Sequence, residues 1–554
     1  MFVRIKTTPN SPKKAVQIVE SYREGNKVKQ RIVRHVGTAL TDTELQKLIE
    51  LAEYIKANIE NQSNPMLFSP EQIAEVAIQS ARIKEENKHL KVDLKNLREK
   101  QRVIVGIHEV YGQIYRELGF DKVIPNPKRK PSVVKNLFHI VMGRLSNPAS
   151  KLSTVNDLSE NFGIKLSLPL VYKMMDAIDD RVIKGIEEKA YNVATNLFKE
   201  PIKVIFYDAT TLYFESFEED DLRQKGYSKD MKFNQTQVLL AVMVTEKGIP
   251  IGYELYEGSK YEGKTLKDAI DKIHQRYNIE DITFVADSAI LSKSNIEILE
   301  GLGKKYIIGA RLRGMPKDIK REILDLESYR SINNEEKYLI KEIQLEGGKR
   351  LIVTYSELKS MKDARDRQET IDRLLKKING KTIKADILIS NYGYKKYIKV
   401  KGESEIEIDE EKIASDRKWD GLHGVITNDN NLTEEEIISQ YKGLWQVEET
   451  FRISKHDLRI RPIYHWTARR IKAHIAICFI ALCCARYLNY RLAMQKKPMS
   501  TERIRQALNS VQLSILEDIE TKNLYGIPSV IKQDAKLIYD AMGLKLSSVP
   551  FQIK

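Results

Sequence analysis

Three carboxylates, Asp208, Asp287 and Glu448, occupy places where an acid needs a chemical reason. Asp208 interrupts VIFYDATTLYFES, a run of β-branched and aromatic residues that predicts a buried strand. A desolvated carboxylate there is costly unless it is paired or binds a metal. Asp287 ends DITFVAD, a second strand of the same character. Glu448 lies in EEIISQYKGLWQVEETFRISKHDLRIRP, which reads as a helix up to the break at Pro462 and sets Tyr441, Glu448 and Lys455 at seven-residue steps. At about 3.6 residues per turn each step returns to nearly the same face, so one face carries a hydroxyl, a carboxylate and an ammonium. Leu444, Val447 and Phe451 supply the apolar side that docks this helix on a core. Oxygen ligands of this type suit a hard cation such as Mg²⁺. Two such ions about 3.5 to 4 Å apart activate an attacking oxygen and stabilise a leaving one, which is phosphodiester chemistry. Plainer uses exist for each acid. Glu448 could pair with Arg452 at i,i+4, worth about 0.2 to 0.5 kcal/mol. Asp208 could be a strand-end turn residue and Asp287 a helix cap, with Ser288 and Ser292 as competing caps.

The elements that must position these groups follow from periodicity. QVLLAVMV and IPIGYELYE, linked by Glu246, Lys247 and Gly248, continue the first strand into a three-strand meander. A helix over 265–277, the strand ending in Asp287, a helix over 292–302 and the strand KYIIGARL complete an α/β pattern. Residues 313–419 interrupt it with charged, strand-forming sequence and one helix over 361–378, which predicts an inserted, mainly β subdomain. GLHGVITN then returns as a strand. Upstream, 2–36 alternates polar and apolar residues around Gly25 and Asn26, a hairpin signal. The 41–61 stretch is helical with Thr41 or Thr43 as cap, and a second helix is expected from Ser69 through Lys100. Residues 103–200 and the tail from Ala468 read as helical. Lys128, Arg129, Lys130, Lys135 and Arg144 form a basic patch that serves equally as a phosphate contact or a solvated loop.

Composition narrows the partners. The 554-residue chain carries 92 Lys and Arg against 77 Asp and Glu, a net +15 that favours a polyanion. The three cysteines, Cys478, Cys483 and Cys484, share one apolar segment without ligand spacing and read as reduced core residues of a cytosolic protein. The N-terminal stretch has no signal-like apolar run. The apolar stretch 475–485 is short of the roughly 20 residues that span a bilayer, so no membrane partner is expected. His423, His456, His465 and His474 lack a ligand spacing.

The ordered combination of YDATTLYFES, GYSKD, GIPIGYELYEG, VADSAILS, YIIGARLR and DGLHGVITN leading to YKGLWQVEETFRISKHDL resembles the DDE transposases of bacterial insertion sequences, in the insertion-sequence-4 superfamily and its 1634-like group. The resemblance covers nearly the whole chain. It implies an RNase H-like catalytic core in two parts, 201–312 with Asp208 and Asp287 and 429–554 with Glu448 and C-terminal helices, interrupted by the mainly β insertion subdomain at 313–428. A small basic β element (1–40) and a helical region read as DNA-binding (41–200) precede it. In that superfamily a Tyr, Arg, Glu, Lys pattern places Arg three, Glu seven and Lys fourteen residues after Tyr. Tyr441, Glu448 and Lys455 match it, and Leu444 stands where the Arg is expected. This spacing selects Glu448 over Glu449. The resemblance further implies that Asp208, Asp287 and Glu448 hold two Mg²⁺ ions, with Mn²⁺ as substitute. Tyr441 and Lys455 would contact the transposon-end backbone, with Arg452 and Trp419 as further DNA contacts. Trp419 and Trp445 could stack on an unpaired base; Trp445 reads rather as core. Ser228 and Lys229 fall in a loop near the site. The expected partners are double-stranded transposon-end and target DNA and a second copy in the synaptic complex, in the prokaryotic cytoplasm at the nucleoid. An inactive end-binding repressor and an RNase H-like nuclease without strand transfer are the alternatives.

Overall fold

The computed structural model describes residues 1–7, 13–24, 27–61, 92–198, 202–215, 217–226, 234–260, 265, 268, 270, 282–288, 293–332, 335–379, 396–401 and 405–553. Ser228, Lys229, most of the expected 265–277 helix and residues 69–91 of the expected second helix lie outside them. The chain folds as two compact units, Met1–Lys189 with Ala473–Lys554, and Ala190–Lys472.

In the first unit, β1 (Phe2–Thr7), β2 (Lys14–Glu24) and β3 (Lys27–Ala39) make an antiparallel sheet in that order. The helix Asp42–Asn61 covers it, burying Leu48, Ala52 and Ile55 on Val16, Ile18 and Val36. Thr41 begins this helix. Its hydroxyl accepts from Glu44 N (3.2 Å), and the Glu44 carboxylate accepts from Leu40 N (2.7 Å). Where a helix through Lys100 was expected, β4 (Leu97–Ile104) pairs with β16 (Gln512–Asp518), followed by β17 (Leu524–Pro528) and β18 (Phe551–Ile553) in a four-stranded antiparallel sheet. The region read as helical and the tail read as helical therefore share strands. LREKQRVI has apolar residues only at its ends, so its charged middle fits a solvated helix face as well as a strand. The partner that decides between them lies some four hundred residues away.

The helix Ala468–Met494 extends the short apolar stretch at both ends. Its 27 residues are long and apolar enough to cross a membrane, but 94% of its most apolar window is buried inside the protein. All three cysteines are buried there, and burial pushes the Cys483 and Cys484 thiols up, away from reactive thiolate.

Lys151 is buried in the same unit, its Nζ 3.3 Å from His474 Nδ1. Burial first, then the Arg144 charge, pulls its pKa from 10.5 down to about 7, against the opposing influence of Cys478. The folded chain thus sheds a proton near pH 7 that the unfolded chain holds to about 10.4. The resulting penalty is fully present below about pH 7 and fades as pH rises toward 10, so stability should climb across that window. Lys151→Met should be more stable than the parent below pH 7 and show a flatter rise above it, read from denaturant midpoints at a series of pH values. A parallel pH profile for the two proteins would refute this.

The second unit is built on a nine-stranded sheet. β5 (Val204–Tyr213), β6 (Gln237–Thr245) and β7 (Pro250–Glu257) form the antiparallel meander. β8 (Thr283–Ala286) and β9 (Lys305–Gly309) run parallel to β5 on its other side, with the helix Lys293–Gly301 between them in sequence. The insertion does not make a sheet of its own from all its strands. β10 (Arg330–Ile332), β11 (Glu335–Leu345) and β12 (Lys349–Ser356) pair in turn onto β15 (Leu422–Thr427), which pairs with β9, giving the order β10-β11-β12-β15-β9-β8-β5-β6-β7. The hydrogen-bonding edge of β9 is thereby continued instead of capped. Outside this sheet, β13 (Ile398–Lys401) and β14 (Glu405–Ile408) form a ribbon beside the helices Glu357–Asn379 and Glu410–Arg417, around Leu374, Tyr397 and Ile413.

Candidate active site

β5 is buried at every position except Asp208 and Tyr213, which are half-buried. Asp208 Oδ1 accepts from Ala209 N at 2.8 Å. The parallel register pairs Tyr207 with Ala286, so Asp208 and Asp287 lie level, one step past the last paired residues. Adjacent strands sit about 4.8 Å apart, and level residues of a parallel pair point to the same face. The two aspartates that sequence placed on separate strands are therefore neighbours, Asp208 in the middle of β5 and Asp287 just past the end of β8.

Alternation puts Phe206, Asp208 and Thr210 on one face of β5. The segment with Glu448 runs along this face as the helices Glu434–Lys442 and Trp445–Arg452 and a π-turn Ile453–Asp457, in place of one unbroken helix. Thr433 caps its start with Glu436 at the third helical position. At the interruption Gly443 approaches the Phe206 ring so closely that a Cβ would collide with it. At the other end Lys455 Nζ donates to Thr210 Oγ1 at 2.5 Å. Gly443 over Phe206 and Lys455 over Thr210 bracket Glu448 in sequence and Asp208 in space. Lys455 is thus nearer the acids than helical rise alone implies, since Thr210 is about 6.6 Å from Asp208 along the strand.

Tyr441 sits beside Asp287. A Cβ on Gly309 would lie 2.5 Å from its hydroxyl and 3.1 Å from Ser288 N, so Gly309 makes room for the phenol beside the Asp287–Ser288 bend. Burial, then the charges of Asp287 and Glu448, push the Tyr441 pKa upward, so the phenol stays protonated between the two acids. The His423 ring is 5.1 Å from that of Tyr441. Burial, then Lys359, lowers its pKa to about 4 against the pull of Asp287, so it is neutral at physiological pH. Sequence reasoning passed over His423 and Thr210. The i+2 alternation from Asp208 would have found Thr210, whereas nothing local marks His423.

The plain alternative for Glu448 is not what forms. Arg452 turns to Glu449 with two 2.7 Å contacts and to Asp457 at 3.4 Å. Glu449 is thereby engaged, while Glu448 is exposed and carries no ion pair among the described residues. Leu444 is buried, so the position expected to hold an arginine faces the core. Trp445, expected in the core, is 55% exposed. Trp419 is half-buried under the Arg313 guanidinium, 6.0 Å from its ring centre. It lines a cleft of about 700 Å³ with Lys359, Arg367, Lys396 and His423.

By donor type the three carboxylates fit a hard divalent cation. Among the described residues no three His, Cys, Asp or Glu side chains stand close enough together to hold one.

Residues 199–484 match the family model described as transposase DDE domain, and residues 3–64 match that described as IS1634 family transposase, N-terminal domain. Among solved structures the chain is similar to the piggyBac transposase in a cryo-EM synaptic complex with hairpin DNA. Identity is 10% over 68% of this chain and 70% of that one, with a TM-score of 0.36. It is also similar to the Mos1 transposase in a paired-end complex with the left transposon end, at 12% identity over 46% of this chain and 72% of that one, with a TM-score of 0.14. No match is found among curated proteins.

Proposed function

Because the chain belongs to the DDE transposases of the IS1634 group, we propose that it binds the ends of its insertion sequence, cleaves a strand there and joins the freed 3′-OH to target DNA. The observation that carries this reading is the bracketing along β5. Phe206 under Gly443 and Thr210 under Lys455 lay the segment that carries Glu448 along the β5 face that carries Asp208, with Asp287 level on the next strand. The order β7-β6-β5-β8-β9, an antiparallel meander followed by two parallel strands, supports an RNase H-like core.

In this reading Asp208, Asp287 and Glu448 would hold two Mg²⁺ ions, replaceable by Mn²⁺, once drawn closer together than they stand in this structure. When bound, the ions supply Lewis-acid stabilisation of the attacking and leaving oxygens. The chain's own groups do the rest. Tyr441, held protonated, donates a hydrogen bond next to the acids. Lys455 presents a cation to the phosphate beside Thr210, and His423, kept neutral, adds no charge. Trp419 and Arg452 serve as outer DNA contacts, Arg452 at the cost of its pair with Glu449. Duplex ends, target DNA and a second copy of the chain are the partners, in the cytoplasm at the nucleoid.

Purified protein incubated with Mg²⁺, a labelled duplex carrying its own element end and a supercoiled target should yield end cleavage and a joined product. Cleavage without joining would replace this reading with a nuclease. End-specific binding without cleavage in Mg²⁺ or Mn²⁺ would replace it with a repressor.

A further inference from the structure

The β2–β3 hairpin carries charge that the chemistry at β5 does not use. Residues 1–40 hold nine Lys or Arg against two Glu, a surplus of seven within a chain whose total is +15. The register shows where this charge is displayed. β1 pairs with β2 only as far as Phe2 with Val19, whereas β2 and β3 stay paired out to Glu24 with Lys27. Among the described residues, the paired segments Glu20–Glu24 and Lys27–Arg31 therefore stand as a ribbon without a third strand. The helix Asp42–Asn61 packs at the other end of the hairpin, on Val16, Ile18 and Val36. A shift of register between Ile18 and Val19 adds local twist where the ribbon begins.

Ser21, Tyr22, Arg23 and the run Val28 to Ile32 are exposed, with Val28 at 65% and Ile32 at 53%. The pairs Arg23 with Val28 and Val19 with Ile32 put Arg23, Val28 and Ile32 on one face. The pairs Tyr22 with Lys29 and Glu20 with Arg31 form the other. A bare two-stranded ribbon is marginal in water, and one that shows valine and isoleucine beside arginine is shaped for a partner that is both anionic and locally apolar. Duplex DNA is that partner. Its major groove, about 12 Å wide, admits a two-stranded ribbon, and its thymine methyls offer apolar contacts between acceptor edges.

We propose that the ribbon from Glu20 to Ile32 is a groove-reading arm that enters the major groove of duplex DNA. Arg23 meets a base edge, Val28 and Ile32 meet thymine methyls, and Lys29 reaches the phosphates. This rests on the transposase reading and names the surface that recognises the ends.

The test uses the full chain, fluorescence anisotropy and two labelled duplexes across a salt series. One duplex carries the inverted repeat bordering the coding sequence; the other is its scrambled equivalent. Arg23→Gln with Lys29→Gln should weaken binding about tenfold or more and lower the salt slope by about one, the share of the Lys29 phosphate contact. Val28→Ser with Ile32→Ser should reduce the preference for the end duplex about tenfold while leaving scrambled-duplex affinity unchanged. Both variants alter exposed residues and should melt like the parent. If the parent binds the end duplex and the charge variant binds it equally with the same slope, the arm is wrong and the transposase reading stands. If the parent binds neither duplex, both fall. If the variants change sedimentation but not duplex affinity, the ribbon is a protein contact and the proposal is overturned.

Discussion

Glu448→Ala is expected to lose strand cleavage by at least about a thousandfold, the scale set by removal of one preorganised charge-stabilising group, and more if metal occupancy is lost with it. Binding of the end duplex and the melting temperature should barely change. Glu448 is exposed and has no ion pair among the described residues, so alanine leaves no buried group unpaired and opens no cavity. That makes it the cleanest of the three acids to test. Asp208→Ala and Asp287→Ala should show the same loss. Glu449→Ala is the control. It releases Arg452 from its two 2.7 Å contacts, an exposed pair worth roughly 0 to 1 kcal/mol, and should cleave near the parental rate. Parental cleavage by Glu448→Ala together with its loss in Glu449→Ala would transfer the role to the neighbour and disprove the spacing argument.

Arg367→Ala is expected to cost about 3 kcal/mol or more of stability. Arg367 grips Asp420 with both guanidinium nitrogens, at 2.5 and 2.6 Å, and each side chain is only 9% exposed. The pair ties the helix Glu357–Asn379 to the turn before β15, where Asp363 also accepts from Gly421 N at 3.0 Å. Alanine would strand the Asp420 carboxylate where water cannot fully reach it, and that uncompensated charge is the source of the loss. Arg367→Lys should recover only part, because an ammonium cannot bind both oxygens in the planar fork geometry. Arg367→Met with Asp420→Leu should be far less damaging than the single change, since removing both charges removes the stranded one. Denaturant midpoints at constant slope read all three variants. A loss below about 1 kcal/mol for Arg367→Ala would mean the pair is solvent-screened after all.

Much of the site could be read from local pattern. Asp208 stood out because a charge inside VIFYDATTLY contradicts the strand around it, and Asp287 because DITFVAD ends on an acid. The meander was legible because strand-length apolar runs joined by a Lys-Gly turn have few other solutions. Trp445 misled because the apolar stripe of Leu444, Val447 and Phe451 included its neighbours. Trp445 itself falls on the face of Tyr441 and Glu448, so Leu444 turns in and Trp445 turns out. For Arg452 spacing alone offers Glu448 and Glu449 alike; in the fold it pairs with Glu449 and also reaches Asp457 in the π-turn.

By itself the amino-acid order determined most of the kinds of element, the cap at Thr41, and which acids had no structural excuse for being where they are. Those are properties of a few consecutive residues, and propensity and period act at that range. Only the tertiary structure decided which strands pair. It joined β4 to β16 across the length of the chain, extended the core sheet through β15 with strands that read as a separate subdomain, and set Asp208 level with Asp287. It also decided that Gly309 leaves space for the Tyr441 hydroxyl. Strand partners and close approaches depend on which distant surfaces bury each other, and hydrophobic burial has no sequence range, so no local pattern records it.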